Sequence, residues 1–273
     1  MNPAYINMNK FSKIGFEYFF MFIAFTQLVV PLLSVGCVMV VQLIFPFTKP
    51  IKDIVDTTIF LSLVIGDFLL FLFIVYRFRH HLRYRKFSRH YFGRNVLPYV
   101  LILALCFPMW NYFISDLFPL PDFDSEVISK ISNSSYFGNL AICIVGPFVE
   151  EFVLRGSLER MLLKGNKGRP WLAILISAAV FGLMHVNPAQ ISYAFWGGVL
   201  YGWLYFKLKS IWPSIILHSI NNSISMILIQ FFPNDDRLID IFNGNTIIMG
   251  IALFFALILF IYSLIKIKIR IWV

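Results

Sequence analysis

The sequence predicts an all-α membrane protein with eight transmembrane helices. Apolar residues make up 59% of its 273 residues, well above the roughly 45–50% of an ordinary soluble domain, and charged residues make up only 14%. Uncharged runs of about 20 residues, the length that an α-helix needs to cross a bilayer, recur along the chain. Together these observations exclude a soluble globular protein.

Eight such runs can be assigned as membrane-spanning helices. They lie near residues 18–45, 57–76, 96–115, 132–155, 170–187, 189–206, 211–232 and 245–265. Asn187 and Pro188 alone join the fifth run to the sixth, which predicts a tight turn between two antiparallel helices. We divide the chain into an N-terminal region with three spans (1–130), a central helical region (131–232) and a C-terminal region with one span (233–273).

The distribution of Lys and Arg predicts that both termini face the cytoplasm, because cytoplasmic loops carry an excess of positive charge. With this orientation, nineteen of the 23 basic residues lie inside and four outside. Seven of the nineteen lie in the loop 77–94, where they alternate with aromatic residues. Spans bound this loop on both sides, so we interpret it as a surface for anionic lipid headgroups and not for nucleic acid. The Phe-, Ile-, Lys- and Asn-rich composition favours a bacterial plasma membrane as the location.

Two adjacent glutamates and an arginine stand at the end of the fourth run, which holds no other charge from residue 131 onwards. An ionisable side chain at such a depth is costly, and this predicts a functional site. Glu151 and Arg155 have i,i+4 spacing with the acid first, the favourable order for an ion pair. We therefore interpret them as structural support. Glu150 points about 100° away from Glu151 and has no partner on its own helix, so it is the candidate general base. The alternative is a buried structural acid.

Pro147 lies three residues before Glu150 and predicts a kink in the fourth span. Proline has no backbone N–H, so it leaves one carbonyl of the preceding turn, near Cys143, without its helical partner. In a membrane such a carbonyl must find another donor. The kink should also open a local space for water beside the glutamates.

Two later segments supply further polar groups. Phe181 and His185 have i,i+4 spacing on the fifth span, and so do His218 and Asn222 on the seventh. Two histidines, a carboxylate and an amide suffice for the hydrolysis of an amide bond by water, with the amide as a donor to an oxyanion. Glu150, His185 and His218 also form a known ligand set of catalytic zinc. The sequence leaves open whether a divalent metal or the pair Glu150 and His218 holds the water.

The three elements Glu150-Glu151-x-x-x-Arg155, Phe181-x-x-x-His185 and His218-x-x-x-Asn222 resemble, in order and spacing, the signature of the CPBP family. That family comprises the type II CAAX prenyl endopeptidases and their bacterial relatives, including Abi-like bacteriocin self-immunity proteins. The resemblance covers roughly residues 136–230. It implies an eight-helix intramembrane endopeptidase, open to the cytoplasm, that cleaves a membrane-associated peptide or protein. By analogy Glu150 and His218 activate water, while His185 and Asn222 stabilise the oxyanion.

Two other functions compete with this interpretation. A non-catalytic immunity or scaffold protein would keep the fold and lend its helices to a partner. A proton-coupled transporter is suggested by Asp67 in the second span and by the glutamates, but it predicts an inverted repeat, and the sequence has none.

Two common protease and hydrolase motifs are missing from the sequence. It contains no HExxH motif, which argues against a zinc protease of that type, and no GxSxG motif, which argues against a serine hydrolase. Gly197, Gly198 and Gly202 are predicted to be close-packing positions.

Overall fold

The computed structural model describes residues 93–122, 136–166, 168–185, 187–232 and 237–270, and a few isolated helical positions nearer the N-terminus. The predicted spans 18–45 and 57–76, most of the basic loop 77–94 and Asp67 therefore lie outside the described residues. Within the described part every regular element is helical, so the predicted all-α class is confirmed there.

Nine α-helices and two π-helical turns make up the described chain. They are α1 (Leu97–Leu117), α2 (Tyr136–Leu140), a π turn (Ala141–Val145), α3 (Gly146–Val153), a second π turn (Leu154–Glu159), α4 (Arg160–Gly165), α5 (Pro170–Leu183), α6 (Pro188–Leu208), α7 (Trp212–Phe231), α8 (Leu238–Ile241) and α9 (Thr246–Arg270). Helices α1, α5, α6 and α7 each have proline at their first or second position, where the missing N–H costs no helical hydrogen bond. Pro147 has the same position in α3, but there a π turn runs directly into the helix.

Three of the described helices are long and apolar enough to cross a membrane: Leu97–Leu117, Trp212–Phe231 and Thr246–Ile269. They correspond to the predicted spans 96–115, 211–232 and 245–265. The other three predicted spans in the described region form helices of a different kind. The run 132–155 is interrupted by π turns and continues to Gly165, the run 170–187 yields only the 14-residue helix α5, and the run 189–206 yields α6, which is long enough but has too low a mean hydropathy to be counted with these three. The total of eight spans and the orientation remain predictions.

Helix α7 packs against α1, α6, α3 and the first π turn, while α5 packs against α6 and the second π turn. Small residues let α5 and α6 approach closely: a Cβ atom on Gly198 would lie 2.9 Å from Cα of Ala178, and one on Gly182 would lie 2.9 Å from the Ile191 carbonyl. The prediction of close packing at Gly198 is therefore confirmed. This packing places the glutamate helix, α5 and α7 around one core.

Candidate active site

The helix that carries the two glutamates is wound irregularly on both sides of them. A π turn at Ala141–Val145 precedes α3, and there the Gly146 N–H donates to the Ala141 carbonyl five residues earlier. In this register Pro147 would be the partner of Ile142, but proline has no N–H to donate. The Asn222 Nδ2 atom, on α7, donates instead to the Ile142 carbonyl at 3.0 Å. The Asn222 side chain thus replaces the missing N–H donor. The freed carbonyl is that of Ile142, one residue before Cys143, near which the sequence predicted it.

Glu151 and Arg155 form the ion pair that their spacing predicts. The Arg155 Nε atom lies 3.1 Å from Glu151 Oε2, and both side chains are fully buried. Arg155 also donates from Nη2 to the Gly198 carbonyl at 3.0 Å, and its guanidinium lies 5.1 Å from the centre of the Phe181 ring. Glu151, the second π turn, α5 and α6 are thereby joined through one cation.

His218 lies between the two glutamates and contacts each through a different ring nitrogen. Its Nδ1 atom is 3.2 Å from Glu151 Oε1, and its Nε2 atom is 3.8 Å from Glu150 Oε2. A hydrogen bond to an ionised Glu151 requires Nδ1 to donate, since a carboxylate can only accept, and the other ring nitrogen, Nε2, then faces Glu150. The Glu150 side chain is 23% exposed, whereas those of His218 and Glu151 are 5% and 0% exposed. Glu150 is therefore the carboxylate that a substrate or water can reach.

Aromatic rings hold the His218 imidazole in place. The Tyr201 ring stacks on it with a centroid distance of 5.0 Å and an interplanar angle of 22°. The Phe181 ring meets it edge-on at 5.4 Å. Both aromatic residues are almost fully buried, so the imidazole has little freedom to rotate. Sequence reasoning did not identify Tyr201, since one tyrosine in an aromatic-rich helix carries no signal.

His185 lies on the other side of Phe181. Its ring meets the Phe181 ring edge-on with a centroid distance of 5.0 Å, and its Nδ1 atom lies 2.9 Å from the Phe181 carbonyl, which accepts the hydrogen bond. The sequence predicted that His185 lies on the face of the fifth span. Helix α5 ends at Leu183, so His185 lies instead in the turn after the helix. Phe181 thus brings both histidines of the predicted set to one aromatic side chain.

Glu159 is a buried acid that the sequence analysis did not single out. It is fully buried, and its Oε2 atom lies 3.7 Å from Arg155 Nε, so one guanidinium is shared by two buried carboxylates. The residue was overlooked because the basic segment 155–169 was assigned to a cytoplasmic loop. The four-residue steps from Glu151 to Arg155 to Glu159 were the available signal, since they place all three on one helical face.

Gly202 leaves the space that the Glu159 carboxylate occupies. A Cβ atom at this position would lie 2.6 Å from Glu159 Oε2, which confirms the predicted close packing. We expect Gly202→Ala to lower the free energy of unfolding by about 1–3 kcal/mol, the usual cost of overpacking a filled interior. Thermal unfolding in detergent measures this. Gly250→Ala on α9 is the matched control, because a Cβ there meets nothing within 4 Å. Equal melting temperatures for the two variants would contradict the prediction.

The predicted metal ligands do not form a compact ligand set. Within the described ranges, no three His, Cys, Asp or Glu side chains come together in a group that could hold a metal ion. Each histidine keeps its Nε2 atom, because the Phe181 carbonyl engages only Nδ1 of His185 and Glu151 engages only Nδ1 of His218. Since Glu150, His185 and His218 are not brought together as one ligand group, no catalytic step is assigned to a metal.

Comparison with known proteins identifies one related family. Residues 132–224, about a third of the chain, match the sequence model of the family described as type II CAAX prenyl endopeptidase Rce1-like. All three motifs, from Glu150 to Asn222, lie within the matched residues, and the predicted family resemblance is confirmed. No curated protein and no solved structure matched the chain.

Proposed function

We propose, from the membership of residues 132–224 in the Rce1-like family of type II CAAX prenyl endopeptidases, that this chain hydrolyses a peptide bond inside the membrane with water activated by Glu150 and His218. The family supports an intramembrane CAAX-type protease. The observation that carries the finer proposal is the position of His218 between one exposed and one buried glutamate.

The separation of Glu150 and His218 suits a bridging water. Their 3.8 Å distance is too long for a direct hydrogen bond, and a contact of this length between two polar atoms is commonly bridged by water. In the proposed reaction Glu150 takes a proton from that water, and the oxygen attacks the peptide carbonyl carbon. The C–N bond then breaks, and the proton taken up by the carboxylate goes to the leaving amine.

Glu151 and Arg155 act as positioning residues in this proposal. Glu151 accepts from Nδ1 of His218 and so directs the lone pair of Nε2 towards Glu150. Arg155 lies against the other oxygen of Glu151 and so holds that carboxylate in position beside the imidazole. The arrangement is related to the carboxylate–histidine pairs of serine hydrolases, in which a buried acid orients the imidazole.

His185 and Asn222 are the proposed donors to the oxyanion. The Nδ1 proton of His185 is directed to the Phe181 carbonyl, so its Nε2 atom donates only when the ring is doubly protonated. Asn222 uses one amide N–H for the Ile142 carbonyl and has a second one for a substrate oxygen. The two donors therefore differ in kind, and only the amide acts without an added proton.

A purified protein in lipid nanodiscs tests the proposal with membrane-anchored peptides, both CAAX-like and leader-like, and with mass spectrometry to locate the new termini. His218→Ala should lower turnover by about 10²–10⁴-fold, the usual contribution of an acid–base group. Asp240→Asn, at an exposed ion pair on α8, is the control. A parallel assay with a chelator decides the metal question. Wild-type turnover in His218→Ala would overturn the proposal.

A further inference from the structure

A second concave site lies at the end of the bundle where α5 begins and where α6 and α9 end. The cavity has a volume of about 280 Å³. Its walls include Trp171 and Ile174 from α5, Trp203, Phe206 and Lys207 from α6, and Lys268 from α9. None of the residues assigned above to hydrolysis lines it. The site is therefore distinct from the glutamates.

The cavity combines an apolar wall with two lysine side chains. Aromatic and aliphatic side chains line it together with Lys207 and Lys268, and the Lys207 ammonium lies 5.5 Å from the centre of the Phe206 ring. Among the described residues, no carboxylate lies within ion-pair distance of either lysine. A lysine in the last turn of a helix also stabilises the helix dipole, but that role needs no aromatic cavity beside it. The lining is therefore complementary to a ligand with a negative charge and an apolar part.

Charge is distributed unequally between the two ends of the bundle. The end with the cavity also carries the basic residues Lys164, Arg169, Lys209 and Lys266. At the opposite end Asp122 accepts a hydrogen bond from Asn187, and Asp116 accepts one from the Leu238 N–H. A basic end of a membrane helix bundle attracts anionic lipid headgroups, and tryptophan is enriched at the same interfacial depth.

We propose that this cavity binds an anionic phospholipid of the bilayer. Its phosphate lies between the Lys207 and Lys268 ammonium groups, and its glycerol and first acyl carbons lie against Trp171, Ile174 and Trp203. The volume is slightly below the roughly 300–1,000 Å³ of small-molecule sites, so the site holds the headgroup region and leaves the acyl tails in the bilayer. This site is independent of the hydrolytic function proposed above.

Tryptophan quenching by brominated lipids tests the proposal directly. The wild-type protein is placed in nanodiscs that contain either brominated phosphatidylglycerol or brominated phosphatidylcholine at equal mole fraction. The anionic lipid should quench more strongly, and Trp171→Phe combined with Trp203→Phe should remove most of the difference. Lys207→Gln with Lys268→Gln should weaken the relative affinity for phosphatidylglycerol by about 25-fold, since each lysine contributes about fivefold. Lys266→Gln is the control, because its ammonium lies over Tyr262 and outside the cavity.

Four results would overturn the lipid assignment. The first is equal quenching by the two lipids in the wild-type protein, and the second is an unchanged preference in the double lysine variant. Loss of the preference on adding millimolar glycerol phosphate would indicate a site for soluble phosphate. A raised KM for peptide in the lysine variant, measured in neutral detergent without lipid, would instead assign the cavity to the substrate carboxylate. The quenching assay needs no turnover, so its result does not depend on hydrolysis.

Discussion

Glu150→Gln is expected to lower peptide hydrolysis by about 10²–10⁴-fold while the protein stays folded. The amide keeps the shape of the carboxylate but cannot take a proton from water, so the loss reflects general base catalysis. The fold should tolerate the change because the side chain is partly exposed and its contact to His218 is 3.8 Å long. Turnover of a membrane-anchored peptide under single-turnover conditions measures the chemical step.

Two comparisons make the Glu150 result specific. Asp240→Asn removes another carboxylate, one whose pKa is held below its usual range by hydrogen bonds from Arg237, and it should leave turnover unchanged. Wild-type turnover in Glu150→Gln would refute the assigned base. If a cognate toxin is known, cells can be challenged with both proteins. Protection by an inactive Glu150→Gln protein would favour the non-catalytic immunity or scaffold function.

Arg155→Met should lower the free energy of unfolding by about 3–5 kcal/mol, the cost of removing one partner from a buried ion pair. The guanidinium is the shared cation of Glu151 and Glu159, and all three side chains are fully buried. Methionine keeps most of the volume, so the loss comes from two buried acids that no longer have a cation beside them. Chemical unfolding in detergent measures the change. The matched control is Arg237→Gln, an exposed arginine whose removal should not change the melting temperature.

A double substitution separates charge from packing at this site. Glu159→Gln removes one of the two carboxylates, so the double variant Arg155→Met with Glu159→Gln should lose less stability than the two single changes added together. Strict additivity would mean that Arg155 does not act through Glu159. Peptide turnover by the Glu159→Gln variant is a second test of the coupling between Glu159 and Arg155. Glu159 touches Arg155 but none of the proposed donors to substrate.

Local spacing accounts for what could be predicted about the candidate site. Glu151 and Arg155 pair because residues four apart share one helical face, whatever the rest of the fold does. Glu150, one residue earlier, points elsewhere and reaches the opposite nitrogen of the same imidazole. The freed carbonyl before α3 was predictable in part, since Pro147 has no N–H to donate. The identity of that carbonyl and its donor Asn222 depended on how α7 packs.

Burial accounts for what the sequence could not reveal. Five basic residues between 155 and 169 indicated a solvated loop, yet the helix continues to Gly165 and Glu159 is fully buried against Gly202. The aromatic contacts of Phe181 and Tyr201 with His218 join residues from two helices, and no periodicity in one segment encodes them. The cavity lined by Trp171 and Trp203 is likewise formed by separate helices.

The sequence by itself determined the all-helical membrane class, the resemblance of the central region to the Rce1-like family and the residues that we propose to carry the chemistry. These depend on composition and on spacing within single helices, which short-range geometry controls. Only the tertiary structure decided that His218 lies between Glu150 and Glu151, that Arg155 serves two acids and that a basic aromatic cavity stands apart from them. Such contacts join residues from different helices, and their positions follow from the packing of the whole bundle.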